Sequence, residues 1–355
     1  MNKYLSVKLK VISFLLMIMV VFLHSYNVVT TLTTGNIEVS NGYSSFIQSF
    51  FSYGICTIAV PLFFIISGYL FFLNIQGKPN EFILKFRKRI KTLVLPYLFW
   101  SIFGLLFYFL LQILPQSKVF FTNKLISDFS ISELFSTIFF NPLPYQLWFI
   151  RDLVVLVILS PMIYWLIRFL NYFIVIVLLL TWIMSFDFIV LSNESLLFFV
   201  VGSFLSIKKI DLIHLQYSSK AWIYILLWVV FVFSKTLLGF EGFQNILIID
   251  IIGKTGILIG LWAVWTLFDF LYKNKDLTTS KFFTLVSFSF FLYVFHEPIL
   301  TMIKKVLFVL VGGSEISSLL VYIFAPLLAI SISIFIGYYL KKIIPAFYSI
   351  LTGGR

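Results

Sequence analysis

The stretch VISFLLMIMVVFLHSYNVV, residues 11–29, decides the fold class. It is apolar throughout except for a few uncharged polar residues and one ionisable side chain, His24. A transmembrane helix needs about 20 such residues at 1.5 Å of rise each. No small-residue cleavage site follows in Ser25-Tyr26-Asn27, so the run reads as a retained span rather than a removable signal. Comparable runs lie near residues 49–73, 93–114, 147–167, 171–190, 193–207, 221–238, 246–271, 283–303 and 318–340. That makes about ten spans. Composition agrees, because 61% of the 355 residues are hydrophobic and 11% charged, against about 25% charged in soluble domains. Barrel strands alternate polar and apolar residues in segments of about ten, which these continuous runs do not do. The expectation is an all-α polytopic membrane protein forming a single integral-membrane domain over residues 1–355.

A net charge of +12 would suit nucleic acid, but its placement argues against that partner. With the N-terminus inside, the cytoplasmic segments collect Lys3, Lys8, Lys10, the cluster between Lys78 and Lys91, Arg168, Lys208, Lys209, Lys220, Lys273, Lys275, Lys281, Lys341, Lys342 and Arg355. Most acidic residues fall on the outer side or outer half. This is the positive-inside distribution, and it places both termini in the cytoplasm; the membrane expected is the plasma membrane. The lone Cys56 cannot form an intrachain disulfide. Pro115 to Tyr145 is the longest segment outside the spans, and it is extracytoplasmic in this topology. Within it Ser130 or Ser132 can cap a short helix running to Phe140, before Asn141-Pro142-Leu143-Pro144 ends it. The segment reads either as a lid over an outward-facing site or as a connector on the bilayer surface.

An ionisable ring in hydrocarbon is by default a functional-site hypothesis. His24 lies thirteen residues into its span and His296 thirteen into the run beginning at Phe283. Both are therefore about 20 Å deep, past mid-membrane. Glu297 follows His296, and Pro298 loosens the helix there. An imidazole kept neutral in this setting can take a proton from a hydroxyl; the alternative is a buried side chain hydrogen-bonded to a neighbouring helix. Near the cytoplasmic end of the 93–114 run stands a basic knot, Lys85-Phe86-Arg87-Lys88-Arg89-Ile90-Lys91. Such a cluster can dock a phosphorylated ligand such as a coenzyme A nucleotide, or anchor to anionic lipid headgroups. On the outer side Trp148 can stack on a sugar or belong to the interfacial aromatic belt. Arg151 and Asp152 are adjacent, so they point apart on a helix; Asp152 is placed to orient an imidazole. Asp250 and Lys254, four residues apart, read as a structural ion pair, and Gly256 with Gly260 as a close-packing motif. No phosphate loop, dinucleotide fingerprint or metal-ligand cluster occurs, so no metal is expected.

Phe14–Asn27 (FLLMIMVVFLHSYN), Val60–Phe71 (VPLFFIISGYLF), Phe86–Trp100 (FRKRIKTLVLPYLFW), Leu147–Pro161 (LWFIRDLVVLVILSP) and Ser287–Pro298 (SFSFFLYVFHEP) follow one another in an order that resembles the membrane-bound acyltransferase 3 family. The resemblance covers nearly the whole chain. It implies transfer of a short acyl group, most often acetyl, from a cytoplasmic acyl-coenzyme A to a hydroxyl of an extracytoplasmic or lipid-linked carbohydrate. His24 takes the position of the family's catalytic histidine, as base or transient acyl carrier, with His296 and Asp152 beside it in role. Arg87, Lys88, Arg89 and Lys91 take that of the donor-binding motif; Trp148, Arg151 and Glu297 are assigned to the acceptor. Two positions depart from the family pattern. Ser13 stands where many members carry arginine, and the Arg-x-x-Arg step is here Lys88 to Lys91. The other readings are a non-enzymatic glycan exporter or flippase and a structural subunit of glycan-synthesis machinery.

Overall fold

The computed structural model describes residues 2–32, 35–39, 42–115, 120–121, 123–186, 191–210, 221–272, 275 and 277–354. Lys220, Lys273 and Arg355 of the orientation argument lie outside them. The described chain is almost entirely helical. In order it forms α1 (Lys3–His24), a hairpin of β1 (Val29–Leu32) and β2 (Gly35–Glu38), α2 (Tyr43–Ser49), α3 (Ala59–Phe72), α4 (Pro79–Arg89), α5 (Leu95–Ile113), α6 (Ile131–Phe139), α7 (Trp148–Ile158) and α8 (Ser160–Leu170). There follow α9 (Phe173–Ile183), α10 (Asn193–Ile207), α11 (Ala221–Phe240), α12 (Ile246–Tyr272), α13 (Lys281–Val286), α14 (Ser289–Val311), α15 (Glu315–Ile343) and α16 (Pro345–Thr352). The hairpin is the departure from an all-α chain; Val29 pairs with Glu38 and Leu32 with Gly35, antiparallel.

Six helical stretches among the described residues are long and apolar enough to cross a membrane: Lys3–His24, Tyr43–Phe72, Pro79–Ile113, Ala221–Phe240, Ile246–Tyr272 and Glu315–Ile343. Helices α7 and α8, bent by 63°, make a seventh if taken as one span. The other expected spans fall on α9 and α10, with 11 and 15 residues, and on α13 with α14. Helix α14 has the length but carries Glu297, Lys304 and Lys305 within its 23 residues.

The chain packs as two compact units. The first comprises Met1–Leu23, Ser49–Lys88 and Asp152–Ser287. Its centre is the pair α3 and α10, which approach so closely that a Cβ on Gly68 would meet the Phe199 carbonyl and one on Gly202 the Ile65 carbonyl. Small residues permit such contact where no hydrophobic force draws helices together in lipid. Helix α11 lies on α12, where Gly260 accommodates the Trp228 indole. Helix α1 is fixed here by a buried ion pair: Lys8 Nζ donates to Asp269 Oδ2 at 2.7 Å and sits 3.6 Å over the Trp265 ring. Tyr4 Oη donates to Asp269 Oδ1 at 2.5 Å. Lys254 pairs with Asp250 at 2.5 Å. The start of α4 is set by Glu81, whose Oε2 accepts the Gln76, Gly77 and Lys78 amides.

The second unit comprises His24–Gln48, Arg89–Arg151 and Phe288–Arg355. Helices α14 and α15 form its backbone. Within the 115–145 segment, Ser130 caps α6 in a reciprocal box with Glu133. This helix packs on α5. It runs back along α5, antiparallel, because α5 supplies polar side chains at successive levels. Gln112 accepts the Ile126 amide at 2.9 Å, Ser101 Oγ donates to the Ile138 carbonyl at 2.9 Å, and Tyr97 Oη donates to the Phe139 carbonyl at 3.0 Å. The turn that follows packs Pro144 against Gly104. Its outcome is to bring residues 145–147 onto α14.

Candidate active site

Helix α1 ends at His24 because the residues after it find partners elsewhere. Ser25 Oγ donates to the Tyr322 carbonyl at 2.9 Å. The Asn27 amide donates to Gln48 Oε1 at 3.0 Å, and its side chain exchanges hydrogen bonds with Ser318, whose Oγ donates to Asn27 Oδ1 at 2.8 Å. All four side chains are buried, and each buried polar group is satisfied by another, as an apolar surrounding demands. The last carbonyls of a helix lack intrahelical partners. Here Lys304 Nζ, from α14, donates to the His24 carbonyl at 2.5 Å and to that of Tyr26 at 3.5 Å.

The second imidazole comes from a break in α14. Pro298 has no N–H, so the Val294 carbonyl loses its helical donor, and Glu297 adopts an extended backbone (φ −103°, ψ 136°). Gln146 Nε2 takes the Val294 and Glu297 carbonyls at 3.3 and 3.2 Å. Tyr293 Oη returns a bond to the Gln146 carbonyl at 2.6 Å. Stitched in this way, the turn before α7 presents Tyr145 to the histidines. Its ring meets that of His24 edge-on, centroids 4.7 Å apart, while its hydroxyl donates to Glu297 Oε1 at 3.1 Å. Thr301 Oγ1 donates to the same carboxylate oxygen at 3.1 Å.

His24 and His296, read as lying at one depth, stack in this unit with centroids 5.7 Å apart and planes 13° from parallel. His296 Nδ1 lies 2.8 Å from the Tyr293 carbonyl and 3.1 Å from that of Leu292. Carbonyls only accept, so Nδ1 carries the proton and Nε2 the lone pair. His296 is fully buried, and its Nε2 has no hydrogen-bond partner among the described residues. Gln146 Oε1 is in the same condition, since both partners of its Nε2 are carbonyls and fix the amide's orientation. Both are buried acceptors that lack a donor. A hydroxyl is such a donor.

The remaining sequence-derived residues are distributed as follows. Arg151 Nη1 donates to the Phe140 carbonyl at 3.0 Å, at the end of α6. Trp148 opens α7, half-buried, with its ring edge-on to Phe149. Asp152 belongs to the first unit, where it is buried and accepts from Ser195 Oγ at 2.8 Å; the described partners that orient His296 are backbone carbonyls. Arg87, Lys88 and Lys91 are exposed and Arg89 half-buried, the first three residues on α4 and Lys91 in the wide turn that joins it to α5. Sequence reasoning missed Tyr145, Gln146, Thr301 and Lys304. Thr301 and Lys304 follow Glu297 by four and seven residues, a helical spacing that shares its face. Tyr145 and Gln146 carry no local signal, because a distant proline creates their partners.

Long apolar helices, with a buried polar network beside two stacked imidazoles, are those of a multi-pass membrane protein. A family model for an acyltransferase domain matches residues 8–338, nearly the whole chain. The chain belongs to the acyltransferase 3 family and is an acyltransferase. No curated protein and no solved structure is detectably similar to it.

Proposed function

We propose that this protein transfers a short acyl group, acetyl in the simplest case, from cytoplasmic acyl-coenzyme A to a hydroxyl of an extracytoplasmic or lipid-linked carbohydrate. The observation that carries this reading is the buried acceptor His296 Nε2, which lacks a donor in a ring stacked on that of His24; Gln146 Oε1 is a second buried acceptor without a donor. Hydroxyls of a carbohydrate acceptor are donors of the kind that both atoms lack. His24 removes the proton of the reacting hydroxyl as its oxygen attacks the thioester carbonyl, giving a tetrahedral intermediate. Collapse breaks the carbon–sulfur bond and expels the coenzyme A thiolate, which takes the proton from His24, leaving an ester. His296, its tautomer set by α14, accepts at Nε2 from a second hydroxyl of the acceptor and orients it. Arg87, Lys88, Arg89 and Lys91 hold the donor phosphates, and Trp148, Arg151 and Glu297 contribute to the acceptor side. Both termini are cytoplasmic, and the membrane is the plasma membrane. An exporter would need no coenzyme A dock, so the basic cluster favours the enzyme.

The test is the alkali-labile acyl content of surface polysaccharide from cells carrying the wild-type gene, His24→Ala or no gene. Acyl esters only with the wild type support the reading. Equal ester content with His24→Ala protein, inserted at normal levels, overturns it.

A further inference from the structure

We propose that Lys304 is a positioning residue of the acyl-transfer site, acting as a clamp on the end of α1 that holds the His24 imidazole against His296. This inference rests on the acyl-transfer reading and adds to it a residue that no motif of the chain singles out.

A helix ending inside a membrane leaves carbonyls that neither water nor the next turn satisfies. At the end of α1 those of His24 and Tyr26 are taken by a single ammonium. Lysine suits this place twice, since it donates several hydrogen bonds and a cation is favoured at the negative end of the helix dipole. The clamp comes from α14, eight residues beyond His296 and past the break at Glu297. The two arms of α14 therefore carry the second imidazole and the ammonium that grips the backbone of the first. Ser25 and Asn27 fix the chain after α1 through α15, but the described contacts give the His24 carbonyl itself only to Lys304. Losing that grip lets the end of α1 fray and the ring swing from its parallel seat. Neighbouring Lys305 provides an internal control, for its Nζ donates to the Phe120 carbonyl at 2.6 Å and not to α1.

The experiment compares Lys304→Met, Lys304→Arg, Lys305→Met and His24→Ala in full-length protein in native membranes. It reads acetyl-coenzyme A-dependent ester formation on surface polysaccharide, the apparent KM for acetyl-coenzyme A, and the melting temperature of the purified proteins. A displaced catalytic group costs on the order of 10²-fold in rate. The expected result is a fall of that order in kcat for Lys304→Met with KM unchanged, substantial recovery in Lys304→Arg, and wild-type behaviour in Lys305→Met. Wild-type turnover in Lys304→Met overturns the clamp, as does an equal loss in Lys304→Arg with normal melting. If Lys304→Met does not accumulate, Lys304→Gln against Lys304→Arg decides by the same criterion. Activity retained in His24→Ala would instead remove the acyl-transfer reading on which the clamp depends.

Discussion

The imidazoles of His24 and His296 lie nearly parallel, 5.7 Å between centroids, and the inner nitrogen of His296 is committed to the carbonyls of its own helix. The consequence is directional. His296 offers one lone pair, at Nε2, on the side away from those carbonyls.

His296→Phe tests that lone pair separately from the stacking. Phenylalanine keeps a planar ring beside His24 and deletes both nitrogens. Loss of a group that orients the substrate costs on the order of 10²-fold in rate, and a fall of that order is expected in ester formation, with membrane insertion preserved. A variant as active as the wild type would reduce His296 to packing.

Tyr145→Phe removes only the hydroxyl that Glu297 accepts and keeps the ring edge against His24. Thr301 still serves the carboxylate. A net hydrogen bond contributes about 0.5–1.5 kcal/mol, so turnover should drop by up to roughly tenfold, and further in Tyr145→Ala, where the ring contact goes too. Steady-state rates of the two variants check the order; equal losses would assign the whole effect to the hydroxyl.

Much of this site could be read before any coordinates. Hydropathy located α1, α3, α5, α11, α12 and α15 because their apolar runs are continuous, and counting residues from the span starts put both histidines at one level. The turn at Tyr145 and Gln146 was not legible. Its partners arise from a proline in α14, and a carbonyl left without a donor has no signature at the position that satisfies it. Asp152 shows the opposite limit. Its adjacency to Arg151 said which way it does not point, yet only packing against α10 reveals Ser195 as its partner. The return of α6 along α5 was hidden for a similar reason: Tyr97, Ser101 and Gln112 read as ordinary span residues until their carbonyl and amide partners are seen.

Lys8 and Asp269 make a stability prediction. Both are buried, and removing one partner leaves an uncompensated charge, which costs about 3–5 kcal/mol. Lys8→Met alone should lower the melting temperature of detergent-purified protein sharply. Lys8→Met combined with Asp269→Leu should restore most of it, since an apolar pair of similar volume is near neutral. Additive losses in the double variant would contradict this account.

The cap of α6 is sensitive to acid. Lys124 first, then the Ser130 amide and hydroxyl, hold the Glu133 carboxyl down from 4.5 to about 2. A depressed carboxylate stabilises the folded form fully above its unfolded pKa, and that contribution disappears as pH falls through the folded one. Protection of the 126–140 amides should therefore be constant above about pH 5 and decline towards about pH 2. Hydrogen exchange of the full-length protein, corrected for intrinsic rate, measures this; Glu133→Gln should flatten the dependence.

The basic cluster between Arg87 and Lys91 offers a test of enzyme against exporter. Arg87, Lys88 and Lys91 are exposed, so their contacts with phosphate are open to salt. Replacing Arg87 and Arg89 with Gln should weaken acetyl-coenzyme A binding, and the loss should shrink as salt rises, because screening already weakens the same contacts in the wild type. Insertion should persist, since Lys85, Lys88 and Lys91 still mark the segment as inside. Cluster residues that only anchor lipid headgroups would leave the affinity unchanged. An exporter would show no affinity in either protein. Calorimetric titration with acetyl-coenzyme A at low and high salt distinguishes the three, and the expected outcome is a binding loss that is largest at low salt.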